Sequence, residues 1–198
     1  MPRTLSDAEI ADFREKLCDA AAKIFMKKGE QGFTLRELAA ALGVSPMTPY
    51  RYFRDKDEIL AAVRARAFQR FAQTLEAGYA KGTDALSRAA GAGEAYIRFA
   101  LEDPGTYKLM FDMNQPDEGK YPELQEAGVR ARLTMTRHIP ALVEAGMLQG
   151  DPEIIGHVYW TVLHGTVTLQ LADKLDCDMR KILESAFGAL NRGFAPKK

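Results

Sequence analysis

The sequence predicts an all-α protein of about nine helices, with a three-helix head at the N-terminus and a larger helical body behind it. Three observations carry that expectation. Apolar residues recur at helical spacing through nearly every segment. Helix-starting side chains stand in front of those segments: Ser6 with Glu9, Thr34 with Glu37, Asp55 with Glu58, Asp103-Pro104 and Asp151-Pro152. No run alternates apolar and polar residues in the manner of a strand. At 198 residues, 46% hydrophobic and 27% charged, the chain has material for one or two compact domains with a substantial core.

The first helix follows the Ser6 capping box and carries Ile10, Phe13, Leu17, Ala21, Ile24 and Phe25 on one face until Lys28-Gly29. Thr34 caps the second, where Glu37 completes a capping box ahead of Leu35, Leu38, Ala39 and Leu42. Gly43 supplies the left-handed residue that stops it, Val44 returns to the core, and Ser45-Pro46 reads as the cap and first residue of a third helix. Two short helices joined by a glycine turn, with small Ala39 where their backbones approach, fit a helix-turn-helix. Pro49 has no amide hydrogen and stands about one turn into the third helix, which predicts a 3₁₀-like or register-shifted start. Tyr50, Arg51, Tyr52, Arg54 and Lys56 offer hydroxyl and cationic donors with no carboxylate between residues 45 and 54, as a phosphate-facing surface requires. The plainer reading of these residues is a helical hairpin with a solvated basic face.

Asp55 with Glu58 opens a long fourth helix through Ile59, Leu60, Val63, Phe68, Phe71 and Leu75, ending around 79–82. A fifth runs from Thr83 to Glu102 on Leu86, Tyr96, Ile97, Phe99 and Leu101, weakened by Gly91 and Gly93. Asp103-Pro104 restarts the chain as a short sixth helix ending near Met113. Residues 114–121, with Pro116, Asp117 and Gly119, form a loop suited to lining or covering a cavity. Pro122 opens the seventh helix, Pro140 kinks it and Gly146 ends it. Asp151-Pro152 caps an apolar eighth helix through Ile154, Ile155, Val158, Tyr159, Val162, Leu163, Val167 and Leu171, and the last helix spans about 177–191. Ile155, Tyr159, Val162, Thr166 and Leu169, facing Ile182, Leu183, Phe187 and Leu190, leave apolar width beyond a hairpin. That width predicts a homodimer through the last two helices. The other reading of the same residues is packing within one chain.

Several runs now combine: the entry at Thr34, Gly43-Val44-Ser45, Thr48-Pro49-Tyr50-Arg51-Tyr52-Phe53, and Asp55-Lys56-Asp57-Glu58-Ile59-Leu60. Together they resemble the N-terminal domain of the TetR family of transcriptional repressors over about residues 8–65. Pro49 stands where the family commonly has Leu or Ile, and Met47 where it has a small residue. The resemblance implies a DNA-binding domain at 1–56 and a ligand-binding and dimerisation domain at 57–198. It implies DNA contacts at Thr34, Arg36, Thr48, Tyr50, Tyr52 and Lys56, with Ser45, Pro46 and Met47 at the groove-facing entrance; Arg51 joins them as an exposed cation. In the second half, Tyr107, Leu109, Met110 and Phe111, and Trp160-x-x-x-His164-Gly165, are similar to the C-terminal domain of a subgroup with that Trp–His–Gly signature. Trp160 and His164 share a helical face, and Gly165 would permit close helix approach. The functional reading places Tyr96, Phe99, Tyr107, Met110, Phe111, Met135, His138, Trp160 and His164 around an effector; the structural reading places them in core and interface.

Lys and Arg equal Asp and Glu at 27 each, so the net charge is zero and DNA affinity must come from placement, not bulk charge. The chain has no Walker A loop, GxSxG, HExxH or complete GxGxxG, so it reads as a non-enzyme without a cofactor. There is no long apolar run and no apolar stretch after Met1-Pro2-Arg3-Thr4, which reads as a cytoplasmic protein with no membrane partner. Cys18 and Cys177 lack metal or thioredoxin spacing. The expected function is a regulator, most simply a repressor released from a palindromic operator by a largely apolar small molecule. The alternative is a helical ligand-binding, metal- or redox-sensing protein without sequence-specific DNA binding, with His157, His164 and His138 as its candidate metal ligands.

Overall fold

The computed structural model describes residues 6–111 and 117–196. The helices are α1 (Asp7–Gly32), α2 (Leu35–Ala41), α3 (Lys56–Ala80), α4 (Ala85–Glu102), α5 (Pro104–Phe111), α6 (Pro122–Thr136), α7 (Ile139–Glu144), α8 (Pro152–Leu171) and α9 (Met179–Gly193), with 3₁₀ turns at Pro49–Arg51 and Glu118–Lys120. No strand occurs among the described residues, so the all-α expectation is met. Residues 112–116, which include Met113 and the first part of the predicted 114–121 loop, lie outside the described residues, as does Met1-Pro2-Arg3-Thr4. Contacts divide the chain into two units: one comprises the residues up to Phe68 together with Gly105–Gly128, the other Gln69–Pro104 together with Val129 onward.

In the first unit the local signals act largely as the sequence predicts. Ser6 and Glu9 form the reciprocal capping box, Glu9 N donating to Ser6 Oγ at 3.3 Å and Ser6 N to Glu9 Oε2 at 2.9 Å. The helical path of α1 breaks at Gly29, whose φ of 70° is open to glycine. Thr34 Oγ1 accepts from Glu37 N at 3.2 Å, while the Glu37 carboxylate pairs with Lys28. Gly43 (φ 65°) ends α2 in a Schellman arrangement, with Val44 N on Ala39 O and Gly43 N on Ala40 O. Leu17, Phe33, Leu38, Phe53 and Ile59 bury against one another's elements as this unit's core.

The third helix is the main correction. Residues 45–53 make turns and the short 3₁₀ segment at Pro49–Arg51 instead of a regular α-helix. Pro49 has no N–H to donate to Ser45 O. That carbonyl accepts from Thr48 N at 2.8 Å, and Tyr52 N and Phe53 N both turn to Pro49 O at 3.0 Å.

In the second unit, α8 and α9 form the antiparallel hairpin, with α7 and α4 against α8. Asp151 and Asp178 cap these two helices, accepting from Glu153 N at 2.9 Å and Lys181 N at 3.0 Å. Pro140 does more than kink the seventh helix. α6 ends at Thr136 and α7 begins at Ile139, with Pro140 at its second position, where no amide hydrogen is required. Gly165 is also corrected. A Cβ there would meet nothing within 4 Å, whereas one on Gly156 would lie 3.0 Å from Thr136 Cβ, so the close approach of α8 is at Gly156. The proposed dimer stripe divides: Ile155, Thr166 and Leu183 are buried within the chain, Leu169 is exposed, and the others are half-buried.

α3 and α4 cross at a glycine pair. A Cβ on Gly78 would stand 2.4 Å from the Gly91 carbonyl oxygen and 2.7 Å from Ala95 Cβ. Gly78→Ala should therefore destabilise the protein by about 1–3 kcal/mol despite alanine's higher helix propensity. Gly93→Ala, facing open space, should stabilise by up to about 1 kcal/mol. Urea midpoints with a shared slope distinguish the two signs.

Candidate functional site

On the first unit, α2 and the 3₁₀ turn hold the polar groups together. Thr34, Arg36, Ser45, Pro46, Met47, Tyr50 and Arg51 are exposed, and Thr48, Tyr52 and Lys56 are half-buried. Met47, at 67% exposure, is an apolar side chain with no core role in its unit. Arg54 is engaged locally: its backbone N and its Nε both donate to Glu58 Oε2, at 2.6 and 3.2 Å. Lys56 Nζ lies 5.9 Å from the centroid of the Phe33 ring.

The irregular turn is held from behind by α1. The Arg14 guanidinium donates to Tyr52 O and lies 4.2 Å from the Phe53 ring centroid, while the Phe13 and Tyr52 rings stand 4.7 Å apart. Arg14 reads as one more solvated residue of a helical pattern, and nothing in its local sequence marks this role. Hydroxyls and cations on an exposed turn without carboxylates present the chemistry of phosphate contact, and Met47 that of apolar contact with a base edge.

The second unit contains a cavity of about 320 Å³. Leu75 of α3, Leu86, Ala89, Gly93 and Ile97 of α4, Met135 and His138 of α6 and its following turn, Tyr159, Trp160 and Leu163 of α8, and Leu183 and Phe187 of α9 give it an apolar and aromatic wall. Glu94, Arg180, Glu184 and Asn191 also line it, and all are exposed. Burial, aided by the neighbouring Arg137 charge, lowers the His138 pKa to about 4, so this imidazole is neutral at pH 7. Its buried Nδ1 finds no hydrogen-bond partner among the described residues. Tyr159 donates its hydroxyl to Asn191 Oδ1.

Of the sequence-nominated pocket residues, this cavity gathers Tyr96, Met135, His138 and Trp160. His164 stands one contact back, its Nδ1 3.0 Å from Tyr96 Oη and its pKa lowered by burial. Phe99 packs edge-on to Phe71 at 5.2 Å. Tyr107, Met110 and Phe111 belong to the first unit and do not line the cavity: the tilted rings of Tyr107 and Phe111 lie 5.0 Å apart, Phe111 meets Phe68 at 6.0 Å, and Met110 O accepts from Arg64 at 3.2 Å. Tyr107 and Met110 are buried in that unit and Phe111 is half-buried. The wall supplied by α9 is not evident in the sequence, because the apolar spacing of Leu183 and Phe187 fits a dimer face equally well.

Among the described residues, no group of three or more His, Cys, Asp or Glu is placed to hold a metal ion. None of their helices is long and apolar enough to cross a membrane. Cys18 is buried, which pushes its thiol pKa up, and Cys177 is exposed.

Comparison with known proteins gives two family matches: residues 17–63 to the bacterial regulatory proteins of the tetR family, and residues 89–190 to the tetracyclin repressor-like C-terminal domain. The chain is 29% identical over 99 residues to the HTH-type transcriptional activator FasR of Mycolicibacterium smegmatis. That match covers 50% of this chain and 45% of the activator, so the chain spans about half the length of the curated relative it matches. A protein of unknown function from Rhodococcus sp. RHA1 has a similar structure, with a TM-score of 0.80 at 28% identity over 99% of this chain and all of that one. The transcriptional regulator FadR from Bacillus subtilis, solved with stearoyl-CoA, has a TM-score of 0.74 at 16% identity over 91% and 98% of the two chains, a likeness of fold alone.

Proposed function

The chain belongs to the TetR family of bacterial regulatory proteins, and from that premise we propose that it is a ligand-responsive, DNA-binding transcriptional regulator, acting as a homodimeric repressor. The observation that carries this reading is the apolar cavity lined mostly by residues matched to the C-terminal domain, in the same chain as an exposed, carboxylate-free turn inside the matched DNA-binding domain. The effector is a largely apolar, neutral or weakly polar small molecule, consistent with a wall whose histidine is uncharged. DNA contacts fall to Thr34, Arg36, Ser45, Pro46, Met47, Thr48, Tyr50, Arg51, Tyr52 and Lys56. A single head makes too few phosphate contacts for tight binding at physiological salt, which favours two copies on a palindromic operator. Exposed Ile154 and Leu169 on α8 support that helix as part of the dimer face, with α9 beside it. Helices α3 and α6 each contribute residues to both units, which supports them as the route by which effector binding lowers operator affinity; coupling of 1–3 kcal/mol corresponds to about 5- to 150-fold.

The test is unbiased selection of bound DNA by the purified protein, followed by compound screening for release. A palindromic consensus is expected, and a releasing compound should alter the emission of Trp160, the only tryptophan. Failure to enrich any sequence would overturn the regulator reading. A non-palindromic consensus bound by one chain would overturn the dimer.

A further inference from the structure

The parts of α4 and α9 that face the cavity are of matched length. Lining residues run from Leu86 to Ile97 on α4 and from Arg180 to Asn191 on α9, in each case about 16 Å at 1.5 Å per residue. A fully extended chain advances about 1.2 Å per bond, so twelve carbons extend over about 13 Å, which leaves room along the lined stretch for a head group and the terminal methyl. On α4 the wall is kept low by Ala89, Ala90 and Gly93, and a Cβ on Gly93 would meet nothing within 4 Å. The space is long, and it lies beside an ion pair. Arg180 donates through both terminal nitrogens to Glu94, Nη1 to Oε1 at 2.8 Å and Nη2 to Oε2 at 3.1 Å.

That pair sets the charge of the wall. The charged residues lining the cavity are Glu94, Arg180 and Glu184, and His138 is neutral. With Arg180 bound bidentately by Glu94, the surplus charge is that of Glu184. Asp178 and Glu184 also act electrostatically on Arg180, and Arg98 acts on Glu94. A ligand carboxylate would have to displace Glu94 from a two-bond geometry and then share the wall with Glu94 and Glu184. An uncharged head meets neither obstacle.

We propose that Glu94 is a specificity-determining residue of this cavity: by holding Arg180 it makes the site take an uncharged, elongated apolar molecule of about twelve-carbon length and refuse the corresponding carboxylate. This rests on the reading of the cavity as an effector site. The experiment uses the full chain without DNA, with 1-dodecanol and dodecanoate as probes below their aggregation thresholds, titrated by calorimetry. The unmodified protein should bind dodecanol more tightly than dodecanoate, and among 1-alkanols from hexanol to hexadecanol affinity should peak near dodecanol. Glu94→Gln should strengthen dodecanoate binding by about tenfold and leave dodecanol within about twofold. Adding Arg180→Gln to it should erase that gain. If Glu94→Gln does not fold, Arg180→Gln alone decides the matter, because it should weaken dodecanoate further while sparing dodecanol. Dodecanoate binding the unmodified protein as tightly as dodecanol, no gain in Glu94→Gln, or no binding of either probe overturns the proposal. A protein that discriminates the probes yet selects no DNA loses the regulator reading and keeps this one. A protein whose operator is released by another compound while both probes fail to bind does the reverse.

Discussion

Arg51→Glu is expected to reduce affinity for the selected operator by about a hundredfold or more at moderate salt, with an unchanged thermal midpoint. Arg51 is exposed on the 3₁₀ turn and makes no part of the core, so the loss must arise at the DNA. In a dimer the substitution removes two cations from the phosphate surface and adds two anions. The slope of log K against log salt should flatten by about two, because each neutralised phosphate contributes a slope of about 0.9. Arg54→Ala is the internal contrast. Arg54 is held by Glu58, so its loss should act through the turn and weaken binding less. Arg36→Ala should weaken binding and relax preference at one base pair. Fluorescence anisotropy at three salt concentrations separates these effects. Unchanged affinity and slope for Arg51→Glu would remove the turn from the DNA interface.

Why the turn and not a full helix presents these groups returns to Pro49. The helical content of this protein was legible because caps and apolar spacing are local: Ser6, Thr34, Asp55 and Asp151 each place an oxygen on a nearby amide. The Pro49 effect was half legible. The missing hydrogen bond is a sequence fact, but whether the chain recovers an α-helix after it depends on what holds Tyr52 and Phe53, and Arg14 and Phe13 of α1 do that from far away in sequence.

The cavity was less legible still, for a physical reason. Aromatic and Met residues at helical spacing signal burial without saying whether the neighbour is protein or empty space, so Tyr107, Met110 and Phe111 looked the same as Tyr96 and Trp160. Glycines carried the distinction. Gly91 and Gly93 both lower helix propensity, yet one receives the backbone of Gly78 and the other leaves the cavity open, which only the partner helix decides. The pair Glu94–Arg180 joins residues 86 apart in sequence, beyond any spacing argument.

The second large effect is a loss of stability in mild acid that belongs to His138. Its pKa falls from 6.5 to about 4 on folding, chiefly because burial penalises the imidazolium and secondarily because Arg137 is near. Between those values the unfolded chain binds a proton that the folded chain does not, so stability falls as pH falls. The contribution is complete above about pH 6.5 and gone below about pH 4, and a shift of this size amounts to about 3 kcal/mol at 1.36 kcal/mol per pH unit. His164, also lowered by burial, adds to the decline in the same direction. The carboxylates lowered by ion pairs and hydrogen bonds, Glu76, Glu94 and Asp84, lose their contributions in more acidic solution, below the ordinary carboxylate pKa. The interval from pH 4.5 to 6.5 thus reports mainly the histidines. His138→Met keeps an unbranched side chain against the cavity and cannot titrate, so its urea-derived stability should be nearly flat across that interval apart from the His164 slope, while the unmodified protein drops by about 2–3 kcal/mol. Parallel profiles for the two proteins would mean that His138 takes up its proton in the folded chain as readily as in the unfolded one, so that the cavity wall gains a charge in mild acid.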